Sequence, residues 1–120
     1  MDPDWRTTYP QRLAELADAW RDPGAWQGIT RAGGVELPAE VMGSVALAEV
    51  VIHGWDVAHA VGSAYDSDPV TTQACLAHLA QFDTAGTEGM FGPAVPIADD
   101  APALDLAIAM SGRDPAWGAS

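Results

Sequence analysis

Apolar residues recur at helical spacing in several segments of the chain, and the first segment lies near the N-terminus. Thr8 and Pro10 are typical of a helix start, because a hydroxyl accepts an unpaired amide proton and proline is tolerated in the first turn. The residues that follow place one apolar face at i, i+3, i+4 and i+7: Leu13, Leu16, Ala17 and Trp20. Asp22-Pro23-Gly24 then predicts the end of this helix.

The pattern changes after this helix and becomes helical again at Pro38. The intervening segment holds the pair Gly33-Gly34 between short apolar stretches, which predicts either a loop or a small two-stranded β-ribbon. Pro38 fits the opening of a second, long helix, which we expect to run to Val61. Gly62 follows as the usual residue for a left-handed helix cap.

Two more helices are predicted in the C-terminal half. The third begins at Asp68-Pro69 and ends before Gly86. We assign its buried side to these residues: Val70, Cys75, Leu76, Leu79 and Phe82. The segment 86–99 is rich in glycine and proline and predicts an irregular connection. The fourth helix runs from about Pro102 until Gly112. The expected fold is therefore all-α, with residues 1–120 forming a single domain.

Charge narrows the range of partners. Asp and Glu outnumber Lys and Arg by 17 to 5, which gives a net charge of −12. Such a chain repels phosphate backbones and anionic lipid headgroups, so we expect neither nucleic acid nor membrane partners. We predict no membrane-spanning helix and no secretory signal, and we expect a cytoplasmic protein. The single cysteine, Cys75, has apolar neighbours and is predicted to be a buried, inert thiol.

The second helix carries the side chains that are best suited to bind a ligand or take part in a reaction. At 100° per residue, Glu49, His53 and Asp56 fall within about 60° of one another and form a polar stripe on an otherwise apolar helix. Because such a helix is expected to be largely buried, these polar groups need partners. A divalent metal bound by Glu49 and His53, at i and i+4, would meet that need, with a further ligand from elsewhere.

A simpler interpretation of the polar stripe stays open. Glu49 and His53 could form a hydrogen-bonded pair, with Asp56 in a salt bridge to an arginine from another helix. The other two histidines are weaker candidates for metal binding. His59 points away from the polar stripe, and His78 is predicted to lie on the surface or at the edge of the core.

Residues 49–62 resemble a known family signature. The sequence from Glu49 through His53, Gly54, Trp55 and Asp56 to Gly62 is similar to the E-x-x-x-H-G-W-D-L-A-x-A-x-G pattern of mycothiol-dependent maleylpyruvate isomerase-like proteins, which belong to the DinB-like metal-binding superfamily. The segments 20–26, 91–96 and 112–117 resemble further parts of that family. Together these segments span most of the chain.

The resemblance implies a fold, a metal and a cofactor. The fold is a DinB-like helical bundle in which Glu49 and His53 are two ligands of a divalent metal, commonly zinc, next to a site for mycothiol or a similar thiol. Trp55 would then be a wall of the cofactor pocket, and Asp56 would support the ligands by a hydrogen bond. The implied activity is thiol-dependent isomerisation or transfer on a small-molecule substrate.

The chain also departs from this family pattern. The family's third ligand is a histidine on an earlier helix, and no histidine precedes His53 here. The resemblance thus implies an incomplete bundle, covering roughly the C-terminal two-thirds of a family member. Missing helices would leave apolar faces uncovered, so we expect a homo-oligomer. The alternative function is a non-catalytic helical interaction module that has lost the metal site.

Overall fold

The computed structural model describes residues 2–118, and within them the chain is mostly helical. The helices are α1 (Trp5–Arg21), α2 (Ala39–Ala60), α3 (Pro69–Leu79) and α4 (Ala103–Met110), and one 3-10 turn spans Pro23–Trp26. Strands β1 (Ile29–Ala32) and β2 (Val35–Pro38) lie between α1 and α2. The chain divides into two compact units, Met1–Gly43 and Ser44–Ser120. The predicted helical class and the β-ribbon are confirmed, whereas the single domain stays a prediction.

Helix α1 begins earlier than predicted. It starts at Trp5, so the expected start at Thr8 was wrong. The Asp2 carboxylate accepts hydrogen bonds from the Asp4 amide and the Thr8 hydroxyl, both at 2.9 Å, and these bonds order the turn before Pro10. Pro10 therefore lies inside the helix, where it removes one amide donor.

The predicted apolar face of α1 is exposed. No residue of this helix is buried in the structure, and exposed fractions are 38% for Leu13 and 42% for Leu16. Trp5 and Tyr9 continue the same face and are also exposed. Apolar stripes of this kind normally pack against a partner, so we expect this face of α1 to associate with one.

The β-ribbon pairs β1 and β2 in antiparallel register. Ile29 lies opposite Pro38, and Ala32 lies opposite Val35. Gly33 and Gly34 form the turn, with φ angles of 57° and 81°. Two successive positive φ values match the tight turns that suit the twist of a hairpin, which explains the glycine pair.

Trp26 closes the first unit against the start of α2. Its indole nitrogen donates to the backbone carbonyl of Trp20 at 2.7 Å, and the two indole rings lie 4.9 Å apart. A Cβ atom on Gly43 would come within 2.5 Å of the Trp26 ring. The glycine thus allows the indole to lie directly on the helix backbone.

The core of the second unit is formed by apolar side chains from α2, α3 and α4. The buried cluster comprises Ala48, Val51, Ile52, Cys75, Leu79 and Ala107. Val70 was wrongly assigned to this core, because its side chain is 80% exposed. Helix α3 ends at Leu79, so Phe82 lies beyond it and is only half-buried. Cys75 is fully buried, as predicted.

Helix caps follow the sequence signals. The Asp68 side chain accepts the amide of Thr71 at 3.0 Å, which caps the start of α3. Gly62 has a φ angle of 67°, and the next amide, of Ser63, donates to the carbonyl of Ala58 at 2.8 Å. This arrangement is the left-handed cap predicted for the end of α2.

The glycine-rich segment packs against the end of α4. A Cβ atom on Gly112 would come within 2.9 Å of the Gly92 carbonyl oxygen, so the two backbones touch. The amide of Val95 donates to the carbonyl of Ala109 at 2.9 Å. Two segments that resemble the family, 91–96 and 112–117, therefore meet in the structure, and close backbone contact together with a φ angle of 82° explains Gly112.

Helix α2 also passes a simple test for a membrane span. Its length of 22 residues and a mean hydropathy of 1.3 over its most apolar window would allow it to cross a bilayer, and 33% of that window is buried. Core helices of soluble proteins pass the same test, so this is weak evidence. The absence of a membrane partner stays a prediction.

Candidate functional site

The polar stripe of α2 is a connected row of side chains. The Glu49 Oε2 atom lies 3.1 Å from His53 Nε2. On the other side of the imidazole, His53 Nδ1 lies 2.9 Å from Asp56 Oδ2. Helical spacing of four and three residues brings these groups to one face. Glu49, His53 and Asp56 thus lie together on one face of α2, as predicted.

The stripe does not face the core, contrary to the expectation from sequence. The side chains of Glu49 and His53 are 59% and 58% exposed, and Asp56 is 33% exposed. Helix α2 buries a different side, formed by Ala48, Val51, Ile52, Trp55 and Ala58. This side is centred roughly 120° around the helix from the stripe. The row is therefore a surface site that ligands can reach.

Asp56 is held by an arginine from the segment after α4. Arg113 Nε donates to Asp56 Oδ1 at 2.7 Å, and Arg113 Nη2 donates to Oδ2 at 2.9 Å. Arg113 Nη1 in turn donates to the carbonyl and hydroxyl oxygens of Ser111, both at 3.2 Å. Two parallel bonds of this kind fix the plane of the carboxylate.

The Asp56 carboxylate stays ionised over a wide pH range. The hydrogen bonds from Arg113 are the main cause that lowers its pKa, and the hydrogen bond with His53 lowers it further. Partial burial acts in the opposite direction. An ionised carboxylate can only accept, so the Nδ1 atom of His53 must carry the proton.

This proton placement leaves His53 Nε2 as the reactive nitrogen. If Nε2 is unprotonated, its lone pair faces a Glu49 oxygen at 3.1 Å, and two acceptors in contact repel each other. A proton on Nε2 relieves this contact, and so does a metal ion bound by both atoms. A histidine whose other nitrogen donates to a carboxylate is the usual arrangement at metal sites. The donor atoms present therefore fit a divalent metal.

Within the described residues, this face of α2 supplies two such ligands, Glu49 and His53. Among residues 2–118, no group of three or more His, Cys, Asp and Glu residues is placed to hold a metal ion. His78 is buried at 6% exposure, and the pKa of its imidazole is lowered by that burial. His59 stacks on Trp55, and its Nδ1 atom is buried with no partner among the described residues. The burial of His78 corrects the prediction that this imidazole lies on the surface or at the edge of the core.

Trp55 lines a cavity beside Asp56. The cavity has a volume of about 340 Å³, and its lining residues are Trp55, Asp56, Arg113, Asp114 and Trp117. Trp55 is only 5% exposed, and its ring stacks on the imidazole of His59 with centroids 3.8 Å apart. Trp55 therefore lines a cavity, and its role as a wall of a cofactor pocket stays a prediction.

Sequence reasoning missed Arg113 as a member of this site. The simpler interpretation of the stripe expected an arginine on a helix as the partner of Asp56, and the observed partner follows α4 instead. One signal was available in the sequence. Arg113 is the only Lys or Arg after Arg31, so it was the only nearby candidate in the C-terminal part of the chain.

The comparisons with known proteins agree with the family resemblance. Residues 1–58 match the family model described as the mycothiol maleylpyruvate isomerase N-terminal domain. These residues are similar to that family over about half of the chain. The match to the mycothiol maleylpyruvate isomerase model includes Glu49, His53, Trp55 and Asp56. Neither the curated proteins nor the solved structures gave a match.

Proposed function

We propose that the chain is a divalent-metal-binding protein of the mycothiol maleylpyruvate isomerase-like family, with a helical fold of the DinB-like kind. Glu49 and His53 would hold the metal, with zinc as the first candidate. The observation that carries the proposal is the placement of His53 between two carboxylates, with Nε2 directed at Glu49. A metal there is bound by one oxygen and one nitrogen.

Asp56 and Arg113 support the ligand histidine in this proposal. Asp56 holds the proton on His53 Nδ1, and Arg113 holds Asp56 in position. The imidazole therefore presents one nitrogen in one orientation. Supporting hydrogen bonds of this kind typically contribute tenfold to hundredfold to metal affinity.

The remaining coordination positions would be open to water, a thiol or a second molecule. A divalent metal supplies a Lewis acid that lowers the pKa of a bound thiol and stabilises the thiolate. The chain itself contributes an exposed binding face and, next to it, the cavity that Trp55 lines. Mycothiol or a similar thiol is the cofactor that the family suggests, and isomerisation or transfer is the reaction class that goes with it.

The proposal is tested by measuring metal content. We expect about one zinc or nickel ion per chain after purification without chelator. Glu49→Gln and His53→Gln each remove one ligand while keeping the side-chain size, and each should lower the metal content at least about tenfold. Glu88→Gln, an exposed carboxylate elsewhere, serves as the matched control and should bind metal normally. Metal-free wild type under zinc supplementation would contradict the proposal.

A second candidate function is a helical interaction module without catalysis. It is favoured by the exposed apolar face of α1 and by the presence of only two ligands on the α2 face. A folded wild type that binds no metal but associates through α1 would support this candidate instead.

A further inference from the structure

Helix α2 leaves much of its apolar surface uncovered. Only 33% of its most apolar window is buried, and the side chains of Val50 and Val57 are 50% and 65% exposed. The core of the second unit uses the opposite side of the helix, which carries Ala48, Val51 and Ile52. A helix that is apolar all round is normally buried all round. We therefore expect another molecule to cover the exposed side of α2.

The exposed side of α2 carries an apolar seam with His53 at its centre. Its members follow one another at alternating intervals of four and three residues: Ala46, Val50, His53, Val57 and Ala60. At 100° per residue, all five fall within about 80° of one another. These alternating intervals are the pattern by which one helix packs along another in a coiled coil. We call this row of five residues the His53 seam.

The His53 seam fits a second copy of the same chain. On each side of His53 the seam has first a valine and then an alanine, so it is the same in both directions. A two-fold interface joins the same patch on both subunits. In an antiparallel pair of α2 helices, each Val50 therefore lies near Val57 of the other copy, and the two His53 side chains meet at the two-fold axis.

This pairing brings two incomplete metal sites together. Each copy supplies Glu49 and His53, and no group of three or more His, Cys, Asp and Glu residues within 2–118 is placed to hold a metal ion. Structural zinc sites normally have four protein ligands. Two copies supply that number, as two imidazole nitrogens and two carboxylate oxygens. The two carboxylates also balance the charge of a divalent cation.

We propose that a second copy of this chain completes the metal site, so that Glu49 and His53 of both copies hold one ion at the two-fold axis. This inference rests on the proposed metal binding and names the molecule that fills the open coordination positions. The seam offers two valines and two alanines per copy, which is less apolar surface than stable interfaces bury. Two chains of net charge −12 also repel each other. The shared ion is therefore what holds the pair together.

Sharing an ion fixes the ratio of metal to chain. When metal is limiting, one ion joins two chains. When metal is in excess, each chain binds an ion of its own and the pair separates by mass action. The content of about one ion per chain is thus the upper limit, and dimer formation passes through a maximum at a lower ratio.

The test adds zinc stepwise to the full chain after treatment with a chelator. The chain carries Leu13→Glu, which weakens association through α1 and leaves α2 unchanged. Sedimentation velocity measures the fraction of dimer, and mass spectrometry under native conditions counts the zinc ions in it. We expect zinc to strengthen dimer formation at least about tenfold, with a maximum at about half an ion per chain.

Two variants separate the His53 seam from the metal ligands. Val57→Gln places an amide in the seam and keeps both ligands, so it should weaken zinc-dependent association at least about fivefold. Its binding of zinc as a monomer, in excess metal, should be unchanged. The matched control is Val70→Gln on α3, which replaces another valine, 80% exposed, and should leave both measurements unchanged.

The shared site is overturned if association is the same with and without zinc, if the dimer holds one ion per chain, or if Val57→Gln and Val70→Gln have equal effects. A chain that binds zinc as a monomer at every ratio would contradict the shared site and leave the proposed metal binding intact. A folded chain that binds no zinc would contradict the metal binding itself.

Discussion

The ring of Tyr65 lies against the backbone of Gly54, in the space that a Cβ atom would fill. A Cβ atom on Gly54 would come within 2.6 Å of the Tyr65 hydroxyl oxygen and 2.9 Å of a ring carbon. The hydroxyl donates to the backbone carbonyl of Val51 at 2.9 Å, and burial raises the pKa of Tyr65. This contact gives a structural reason for a glycine inside α2, next to His53 and Trp55.

We predict that Gly54→Ala changes stability with a sign that depends on Tyr65. Alanine is better than glycine inside a helix by about 1 kcal/mol, but here it must displace the Tyr65 ring and its hydrogen bond. The substitution should therefore destabilise the wild type by about 1 to 2 kcal/mol. In a Tyr65→Ala background it should stabilise the chain by about 0.5 to 1 kcal/mol. Urea unfolding of the four chains measures this, and the same sign in both backgrounds would contradict the contact.

The pair of Asp56 and Arg113 should contribute measurably to stability. The side chains are 33% and 26% exposed and share two hydrogen bonds, so Arg113→Met should destabilise the chain by about 1 to 2 kcal/mol. The exposed pair of Arg31 and Glu36, at 3.4 Å, is the matched control. Arg31→Met should cost less than about 0.5 kcal/mol. Equal losses in chemical denaturation would show that the Asp56 pair contributes no more than a surface contact.

His78 should make stability depend on pH. Burial lowers its pKa, so the folded state favours the neutral imidazole, and the ring edge of Phe82 lies next to it at a centroid distance of 5.2 Å. Below the unfolded pKa of about 6.5, the unfolded chain binds a proton more readily than the folded chain, and stability falls as pH decreases. The slope should not exceed about 1.4 kcal/mol per pH unit.

The control for this pH effect is another histidine. His78→Gln should remove the loss of stability between about pH 7 and 5.5, whereas His53→Gln, at an exposed position, should retain it. Thermal or urea unfolding at several pH values gives the comparison. An unchanged slope in His78→Gln would assign the pH dependence to other groups.

Cys75 should be unreactive in the folded chain. Its side chain is fully buried, and burial raises the pKa of the thiol to about 11. At pH 8 only about one thiol in a thousand is ionised, and a thiol reagent in solution cannot reach the buried sulfur atom. Ellman's reagent should therefore label Cys75 only in denaturant, as followed by absorbance. Rapid labelling under native conditions would show that the core between α2, α3 and α4 opens readily.

The exposed face of α1 should drive self-association. We expect a second copy to cover this face. Arg12 and Glu15 lie near the middle of the helix, so in an antiparallel pair Arg12 of one copy would lie near Glu15 of the other. Leu13→Glu should lower the association constant at least about tenfold in sedimentation velocity, since it places a charge in the apolar face. Gln11→Glu, a charge added elsewhere on the same helix, is the control. A monomeric wild type would contradict this prediction.

Local patterns predicted the long helix and its ends well. Pro38 and Gly62 bracket α2, and the glycine pair at positions 33 and 34 forms the turn of the ribbon. These features depend on the conformational preferences of single residues, which act over a few positions. The start of α1 was less predictable, because the side chain of Asp2 supplies hydrogen bonds that extend the helix before Pro10.

The sequence by itself determined that Glu49, His53 and Asp56 share one face, since helical spacing fixes that relation without any tertiary contact. Only the tertiary structure decided that this face is exposed, because exposure depends on which side of α2 the other helices cover. It also decided that Arg113, 57 positions away, holds Asp56 and that a cavity opens beside them. Such contacts depend on how the chain folds back on itself, and the periodicity of a single helix carries no information about that.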